Sequence, residues 1–293
     1  MFRSLGIISG GPLYRFRNIL KINAKILHEC KNGYNLSTKG SYDCTLDEST
    51  GIATLTLKRK PVNSLNTEFL TDLTTLLNIL EKNSSVKGLV ITSGLKGIFS
   101  AGLDIKEMYK SDVTSLQTFW RLVQNFWMKL YMLPVTTMAA INGHSPAGGC
   151  LMALSCDYRI MASGPFTIGL NEALIGIVAP LWLMELFRST IGHRQAEKAL
   201  HIGTMFGPQE ALQVSLVDEV VSGDELSQRT VKQLLRWIRV PSQARAMTKQ
   251  MLRKPFVEKL VSYQEEDVDN FVNFVMQESV QNLLEQYLQL LKK

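Results

Sequence analysis

Short apolar segments that alternate with long amphipathic helices limit the folds open to this chain. Residues 88–92 and 135–141 are almost wholly apolar, which is typical of strands buried on both faces. Between them, apolar residues recur every three or four positions, which predicts a long helix; they are Leu116, Phe119, Val123, Phe126 and Leu130. Because parallel strands need such crossover connections, the pattern predicts an α/β fold with a parallel sheet.

The flanking segments extend this pattern. Residues 53–57 alternate as a half-buried strand that ends at Lys60-Pro61, and the apolar residues from Phe69 to Leu80 predict a helix that ends near Asn83. Residues 158–162 and 166–168 are predicted as short strands. Beyond about residue 224 the pattern is mostly helical, with breaks expected at two prolines, Pro241 and Pro255. We therefore expect a core over residues 41–223 and a helical region over residues 224–293.

The net charge of +6 comes from the first forty residues. They contain seven Lys or Arg and a single acid, Glu29, so that the remaining residues are electrically balanced. A balanced body argues against nucleic-acid binding. Residues 1–40 are basic and mix hydroxyl with apolar residues, as a mitochondrial targeting segment does. The alternatives are a poorly ordered extension or a helical arm around residues 20–27.

Residues 130–156 form the longest stretch without a charged residue, long enough to span a bilayer. They include Pro134, Pro146, Gly143, Gly148 and Gly149, which would leave backbone groups unsatisfied in lipid, so we predict no transmembrane segment. The four cysteines form no C-x-x-C pair and the four histidines are scattered. We therefore expect neither disulfides nor a zinc site, and reduced, buried thiols instead.

Glu172 is an acid within an apolar segment, residues 168–176. Apolar neighbours, of which Ile168, Leu170, Leu174 and Ile175 are the candidates, would strip its carboxylate of water and raise its pKa. A buried base of this kind suits proton abstraction. The alternative is an ordinary glutamate at a helix start that faces water or pairs with a cation.

Two glycine-bearing turns precede Glu172, and each follows a predicted strand. Residues 99–105 contain Gly102, and the amide of Ala101 could point outward there. Residues 146–150 lead into a helix, which would place the Gly148 amide at its positive end. Two such donors could stabilise an enolate beside a base. Alternatively, Asp104 and Glu107 form a capping box, and the second turn only allows close packing.

Other candidates have weaker support. His144 and Ser145 are adjacent and lack a third orienting acid, so a nucleophilic pair is not favoured. Residues 203–208 lack the ending of a phosphate loop. Trp120 and Trp127 are predicted in the core. Two basic pairs are expected on the solvated surface, with contact to nucleotide phosphates as the alternative; they are Lys58-Arg59 and Arg253-Lys254.

Taken together, several motifs resemble the crotonase (enoyl-CoA hydratase/isomerase) superfamily, and within it the Δ3,Δ2-enoyl-CoA isomerases. The resemblance runs from about Gly51 to the C-terminus, through residues 61–65, 99–104, 141–143, 146–150, 156–160 and 168–172. It implies a spiral of ββα units, a helical C-terminal trimerisation region and a homotrimer in the mitochondrial matrix. It also implies a role in the β-oxidation of unsaturated fatty acids.

The resemblance assigns roles to individual residues. Glu172 falls at the family's catalytic glutamate, and the amides of Ala101 and Gly148 would bind the thioester oxygen of an acyl-CoA. Substrate-binding positions would be Ala101, Gly102, Leu103, Asp104, Ile105, Gly148 and Asn171. No metal or redox cofactor is implied, since acyl-CoA is the substrate. His144-Ser145 departs from the pattern of close relatives, which leaves the chain-length preference open.

Position 151 distinguishes reactions within the superfamily. The hydratase pattern carries a second glutamate where this chain has Leu151. One carboxylate can move a proton from C2 to C4 of a 3-enoyl thioester, whereas addition of water is served by two. The expected activity is therefore isomerisation to trans-2-enoyl-CoA. The alternatives are a hydratase or other crotonase-type enzyme, or a non-catalytic trimer that binds CoA esters.

Overall fold

A computed structural model describes residues 40–290, and the predicted leader and Cys30 lie outside the described residues. Six strands form the main sheet, in the order β1-β2-β3-β5-β7-β9. β1 pairs with β2 antiparallel, and every later pair is parallel. The strands are β1 (Tyr42–Asp47), β2 (Ile52–Leu57), β3 (Gly88–Ser93), β5 (Thr136–Ile141), β7 (Tyr158–Ala162) and β9 (Glu219–Val221). The predicted parallel sheet is confirmed, while β1 and β9 were not predicted.

A second, smaller sheet carries the loops of the site. Its three strands are β4 (Gly97–Ile98), β6 (Gly143–Pro146) and β8 (Ile168–Gly169), which pair in parallel in that order. Each follows a strand of the main sheet, and a helix comes after it, so the chain winds as repeated ββα units. Of these three strands only β8 was predicted, at residues 166–168. The other two were missed because strands of two to four residues leave almost no periodic signal.

Ten α-helices occur within residues 40–290. They are α1 (Thr67–Lys82), α2 (Val113–Tyr131), α3 (Gly148–Ser155), α4 (Leu181–Ile191), α5 (His193–Ile202), α6 (Pro208–Gln213), α7 (Leu226–Ile238), α8 (Ser242–Ser262), α9 (Gln264–Val275) and α10 (Glu278–Leu290). α1 begins at the cap residue Asn66, whose side chain accepts from the Phe69 amide at 3.0 Å. Its predicted apolar face, including Leu73, is buried.

The described chain is helical from Leu226 onward, as predicted. α7 covers the main sheet, where Leu234 packs in one core cluster with Val90 and Ile160. α9 packs against α2 in the other cluster. The break expected at Pro255 was wrong, because α8 continues through this residue. A proline costs a helix one hydrogen bond and some strain, which packing can offset. Pro241 does precede a helix start.

Three further expectations concern chemistry and the membrane. Cys44, Cys150 and Cys156 are buried and free, as expected. Within residues 40–290 no cluster of acids, histidines and cysteines could hold a metal ion. In the same part of the chain, no helix combines the length and apolar character needed to cross a bilayer.

Candidate active site

The three segments singled out above come together because they follow neighbouring strands of the small sheet. Leu103 lies after β4, Gly148 lies after β6, and Glu172 lies after β8. The strand order β4-β6-β8 therefore places the Gly148 turn between the other two segments. Backbone hydrogen bonds from Phe99 to His144 and from Ala147 to Gly169, both 2.9 Å, join these turns to one another.

Glu172 begins a 3₁₀ turn, Glu172–Ile175, which ends at Gly176 in the left-handed conformation. The residue is half-buried, but its Oε2 atom has no contact with solvent and no hydrogen-bond partner. Burial raises the pKa of Glu172 to about 7, and a smaller effect, a hydrogen bond from its own backbone, opposes this rise. A carboxylate with a free oxygen and a pKa near neutrality is suited to act as a base.

The apolar surroundings predicted for Glu172 are only partly present. Ile168 and Leu170 are buried, as expected, but Leu174 is 65% exposed and Ile175 is half-buried. The 3₁₀ turn directs its later residues outward, which the apolar sequence alone does not reveal. Leu174 therefore contributes little to the burial of Glu172, which also lines a cavity.

That cavity has a volume of about 700 Å³, within the usual range for small-molecule sites. Besides Glu172 and the neighbouring Asn171, the residues that line it include members of the two glycine turns and apolar side chains: Ala101, Leu103, Ile105, Gly148, Leu151 and Ile175. Five of the seven predicted substrate-binding residues thus line it. Gly102 and Asp104 do not.

The Gly148 amide lies at the start of a helix, which is the position that the sequence predicted. It is the first residue of α3, whose N-terminus has no side-chain cap, so its N–H has no partner within the helix. The positive end of the helix dipole lies at the same point. A developing negative charge in the cavity would be stabilised there.

The amide predicted at Ala101 is already used. Its N–H donates to the Val62 carbonyl at 2.9 Å, so it is not available to a ligand, and the prediction was wrong. Leu65 donates to Gly102 at 2.8 Å and Asp104 donates to Leu65 at 3.0 Å, which continues the same pairing. Leu103 lies between these bonds, and its N–H has no acceptor among residues 40–290. The free donor is therefore two residues further along the chain.

Gly102 brings the two donor turns together. Its φ is +85°, and a Cβ built on it would lie 2.7 Å from the Gly148 nitrogen. A Cβ built on Gly148 would in turn lie 3.1 Å from the Leu103 nitrogen. Only glycine allows both the left-handed backbone and this close approach. The Leu103 and Gly148 amides therefore border one small region of the cavity.

Asp104 does not line the cavity; its side chain instead forms hydrogen bonds with neighbouring protein groups. Its carboxylate accepts from Arg59 at 3.0 Å, from the Ser64 hydroxyl at 3.1 Å and from the Lys106 amide at 3.2 Å. It thus caps the turn, as the alternative interpretation proposed, but the capping box is not formed. Glu107 instead accepts from the Thr67 hydroxyl at 2.6 Å.

The two basic pairs were expected on the solvated surface, and this expectation was wrong for both arginines. Arg59 is bound to Asp104, with 23% of its side chain exposed. Arg253 pairs with Asp157 at 2.8 Å and donates to the Tyr131 carbonyl at 2.6 Å, with 17% exposed. Lys58 and Lys254 are exposed, as expected. An isolated sequence gives no sign of partners so distant along the chain.

The remaining alternatives find no support among the cavity residues. His144 Nδ1 lies 3.2 Å from the Thr167 hydroxyl, and the buried Ser145 hydroxyl has no partner, so the two form no nucleophile and base. Trp120 and Trp127 are buried, as predicted, although Trp120 also lines the cavity.

Two acids other than Glu172 line the cavity, and both lie on α9. Glu266 is exposed at its edge. Asp267 is buried and accepts three hydrogen bonds from Trp120, Gln124 and Trp182. Position 151, where a second acid would distinguish a hydratase, is an apolar wall residue. Glu172 is thus the cavity-lining acid with a buried, unpartnered oxygen among residues 40–290.

Comparison with known proteins agrees with this geometry. A family model described as enoyl-CoA hydratase/isomerase matches residues 47–293. The chain belongs to the enoyl-CoA hydratase/isomerase family. Among its family relatives, the rat protein named "Enoyl-CoA delta isomerase 1, mitochondrial" is 48% identical over 83% of this chain and 84% of the relative. A "Short-chain-enoyl-CoA hydratase" of Clostridium acetobutylicum is 30% identical over 62% of this chain and 69% of the relative.

A solved structure in the same family supports the fold directly. The human mitochondrial delta3-delta2-enoyl-CoA isomerase superposes with a TM-score of 0.85 at 44% identity, covering 86% of this chain and 98% of that chain. The predicted crotonase-like α/β fold is therefore confirmed.

The raised pKa of Glu172 predicts a pH-dependent cost to stability. Because its pKa rises from 4.5 unfolded to about 7 folded, the folded state is favoured below pH 4.5, and that advantage is lost as the pH rises to about 7. Glutamine cannot ionise, so Glu172→Gln should gain about 2 to 3 kcal/mol over the wild type between pH 4.5 and pH 8. Denaturant unfolding of both proteins at the two pH values measures this. A gap that does not change with pH would contradict the assigned burial.

Proposed function

We propose that this protein is a Δ3,Δ2-enoyl-CoA isomerase, which moves the double bond of a cis- or trans-3-enoyl-CoA to give trans-2-enoyl-CoA. The observation that carries the proposal is the buried, unpartnered oxygen of Glu172 in a cavity that also borders two free amides. The isomerase names of the 45–48% identical relatives support it. Transposition of a C=C bond in this way is an intramolecular oxidoreduction and serves the β-oxidation of unsaturated fatty acids.

The reaction needs one base and one oxyanion site. The thioester oxygen accepts hydrogen bonds from the Leu103 and Gly148 amides, which acidifies the protons at C2. Glu172 takes one of these protons, and the electron pair delocalises over C2, C4 and the thioester oxygen as a dienolate. The protonated Glu172 then gives the proton to C4, which leaves the double bond between C2 and C3. Atoms and charge balance without a metal or redox cofactor.

Electrostatic stabilisation and proton transfer both lower the activation free energy of the isomerisation. Each amide donor contributes about 2.7 to 4 kcal/mol where such sites have been tested by substitution. The pKa of Glu172, about 7, matches a group that must accept a proton and then release it near neutral pH. Asn171 lies beside the base in the same cavity and is the further substrate contact.

A hydratase is the second candidate, because the family includes such enzymes. Addition of water needs a second acid to position the nucleophile or protonate the enolate. Leu151 stands at the distinguishing position and presents an apolar side chain to the cavity. Apolar walls also exclude water from the dienolate. A non-catalytic CoA-ester-binding trimer would not require the raised pKa of Glu172.

An assay with both substrates separates these candidates. Purified protein given a 3-enoyl-CoA should generate the absorbance of the conjugated thioester. Hydration of trans-2-enoyl-CoA should be at least about 100-fold slower, since a positioned acid or base contributes about 10²- to 10⁴-fold. Faster hydration than isomerisation would establish the hydratase, and absence of both activities across short and long chains would favour the non-catalytic trimer.

We also propose a homotrimer in the mitochondrial matrix, directed there by residues 1–40. The exposed apolar residues of α8 are consistent with assembly, since Met247, Met251 and Leu252 are 53%, 74% and 76% exposed. The names of the rat and human relatives include the word mitochondrial. Light scattering tests the trimer, and a reporter fused to residues 1–40 tests import, with a cytosolic signal contradicting it.

A further inference from the structure

The cavity has an exposed rim and a closed end. Val178 and Leu181, at its rim, are 63% and 49% exposed. Trp120, Val123 and Trp182, which line its other part, are 4%, 2% and 0% exposed. Two of these closing residues come from α2, and the third comes from α4. The three closing side chains are therefore largely apolar and out of contact with bulk solvent, and the buried carboxylate of Asp267, which also lines the cavity, lies beside them.

Asp267 of α9 holds this closed end together. Its Oδ2 atom accepts from Trp120 Nε1 at 2.7 Å, Gln124 Nε2 at 2.7 Å and Trp182 Nε1 at 3.2 Å. Within residues 40–290 no cation forms an ion pair with it, so these neutral donors must offset the loss of its hydration. One carboxylate oxygen thus fixes the orientation of two indole rings on two different helices.

The two ends of an acyl-CoA have opposite solvation needs. The CoA portion carries phosphates and requires water, so it must leave through the exposed rim. The acyl tail is apolar and gains from burial, so it has the closed end available. The cavity volume of about 700 Å³ exceeds what the reacting carbons alone occupy. A substrate with an extended hydrocarbon tail fits this arrangement.

We propose that Trp120, Val123 and Trp182 form the end wall of an acyl-tail pocket, a proposal that rests on the isomerase function proposed above. Asp267 is then the positioning residue that sets the accepted tail length. The substrate class is accordingly a medium- or long-chain 3-enoyl-CoA. The carboxylate touches neither the thioester nor the reacting carbons; it acts through the two indoles. The accepted length is limited where the end of the acyl tail contacts the two indole rings.

Binding of saturated acyl-CoA thioesters from four to sixteen carbons tests the pocket without turnover. For the wild type, affinity should rise roughly fourfold per buried methylene until the tail reaches the end wall, and then level off. Val123→Phe adds a ring to the closed end, so levelling should occur about two carbons earlier, with the four-carbon thioester bound as before. An unchanged length profile in this variant would overturn the proposal.

A matched pair of tryptophans on α2 separates the end wall from general packing. Trp120→Phe shortens a wall residue and should allow about one further carbon. Trp127→Phe is the control, because Trp127 is equally buried but does not line the cavity, and its indole N–H has no partner. Its length profile should match the wild type. The same shift in both variants would show that core packing, and not the wall, sets the length.

Asp267→Asn tests the positioning role. The neutral side chain holds the indoles less firmly, so affinity for the longest accepted tails should fall at least about tenfold, with less than a twofold change for the four-carbon thioester. An equal loss at every length would show a merely structural role and overturn this part. If the wild type binds with the expected profile yet isomerises no 3-enoyl-CoA, the proposed function fails while the tail pocket stands.

Discussion

Replacement of Glu172 by glutamine should lower kcat for 3-enoyl-CoA isomerisation by about 10⁴-fold, with little change in thioester affinity. Glutamine has nearly the same shape but cannot accept a proton, and general acid–base catalysis is worth about 10²- to 10⁴-fold. The upper end applies because the same carboxylate is used at C2 and again at C4. Initial rates of formation of the conjugated thioester measure the effect.

Glu266→Gln is the matched control for this variant. Glu266 lines the same cavity, but it is exposed, so its loss should leave kcat within about twofold of the wild type. Binding of a saturated acyl-CoA to Glu172→Gln confirms that the cavity is intact. A glutamine variant that retains full activity would show that the base lies elsewhere.

A methyl group added at Gly102 should lower kcat by about 10²- to 10³-fold. The new Cβ would lie 2.7 Å from the Gly148 nitrogen, so the two donor turns must separate. Loss of one oxyanion donor costs about this much in other enzymes. Because the hydrogen bonds from the Leu103 and Gly148 amides are stronger to the charged dienolate oxygen than to the neutral thioester oxygen, the change should appear in kcat more than in KM.

Gly192→Ala controls for backbone strain in this experiment. Its φ of +83° matches the +85° of Gly102, but a Cβ there meets nothing within 4 Å, and it lies between α4 and α5 outside the cavity. Gly192→Ala should lose stability through backbone strain alone, Gly102→Ala should lose at least as much because it adds a clash, and only Gly102→Ala should lose the rate. Equal activity in the two variants would remove the oxyanion role from these turns.

The donor at position 103 can be tested separately by replacing a single amide with an ester. An ester that removes the Leu103 N–H should reproduce much of the Gly102→Ala loss. An ester at Ala101 removes a bond to Val62 instead and should mainly affect stability. If the ester at position 101 lowered the rate and the ester at position 103 did not, the Ala101 amide would again be the oxyanion donor, as the sequence first predicted.

Glu172 and the glycine turns were recognisable from the sequence as candidates because each rests on a local signal. An acid within apolar residues and glycines at strand-to-helix turns can be recognised without knowledge of the fold. The β4-β6-β8 order that brings them together followed from the ββα rhythm only in outline, since strands as short as Gly97–Ile98 carry no periodicity. The family resemblance supplied the spiral itself.

The errors came from contacts between distant parts of the chain. Which amide near Gly102 is free depends on the pairing of residues 62–65 with residues 101–104, which no local pattern reveals. Arg253 was expected in solvent because its partner, Asp157, lies far away in the sequence. Asp267 escaped notice for the same reason, since its donors are on α2 and α4. Local patterns predict elements, whereas tertiary pairing decides which polar groups remain free.

The proposed mechanism depends most on one carboxylate that carries a proton from C2 to C4 within a cavity sheltered from water. Isomerisation of a 3-enoyl-CoA deuterated at C2, in ordinary water, tests this directly. We predict that part of the deuterium appears at C4 of the trans-2-enoyl product from the first turnovers. A product with no deuterium at C4 at any stage, formed at the full rate, would contradict transfer by Glu172 alone.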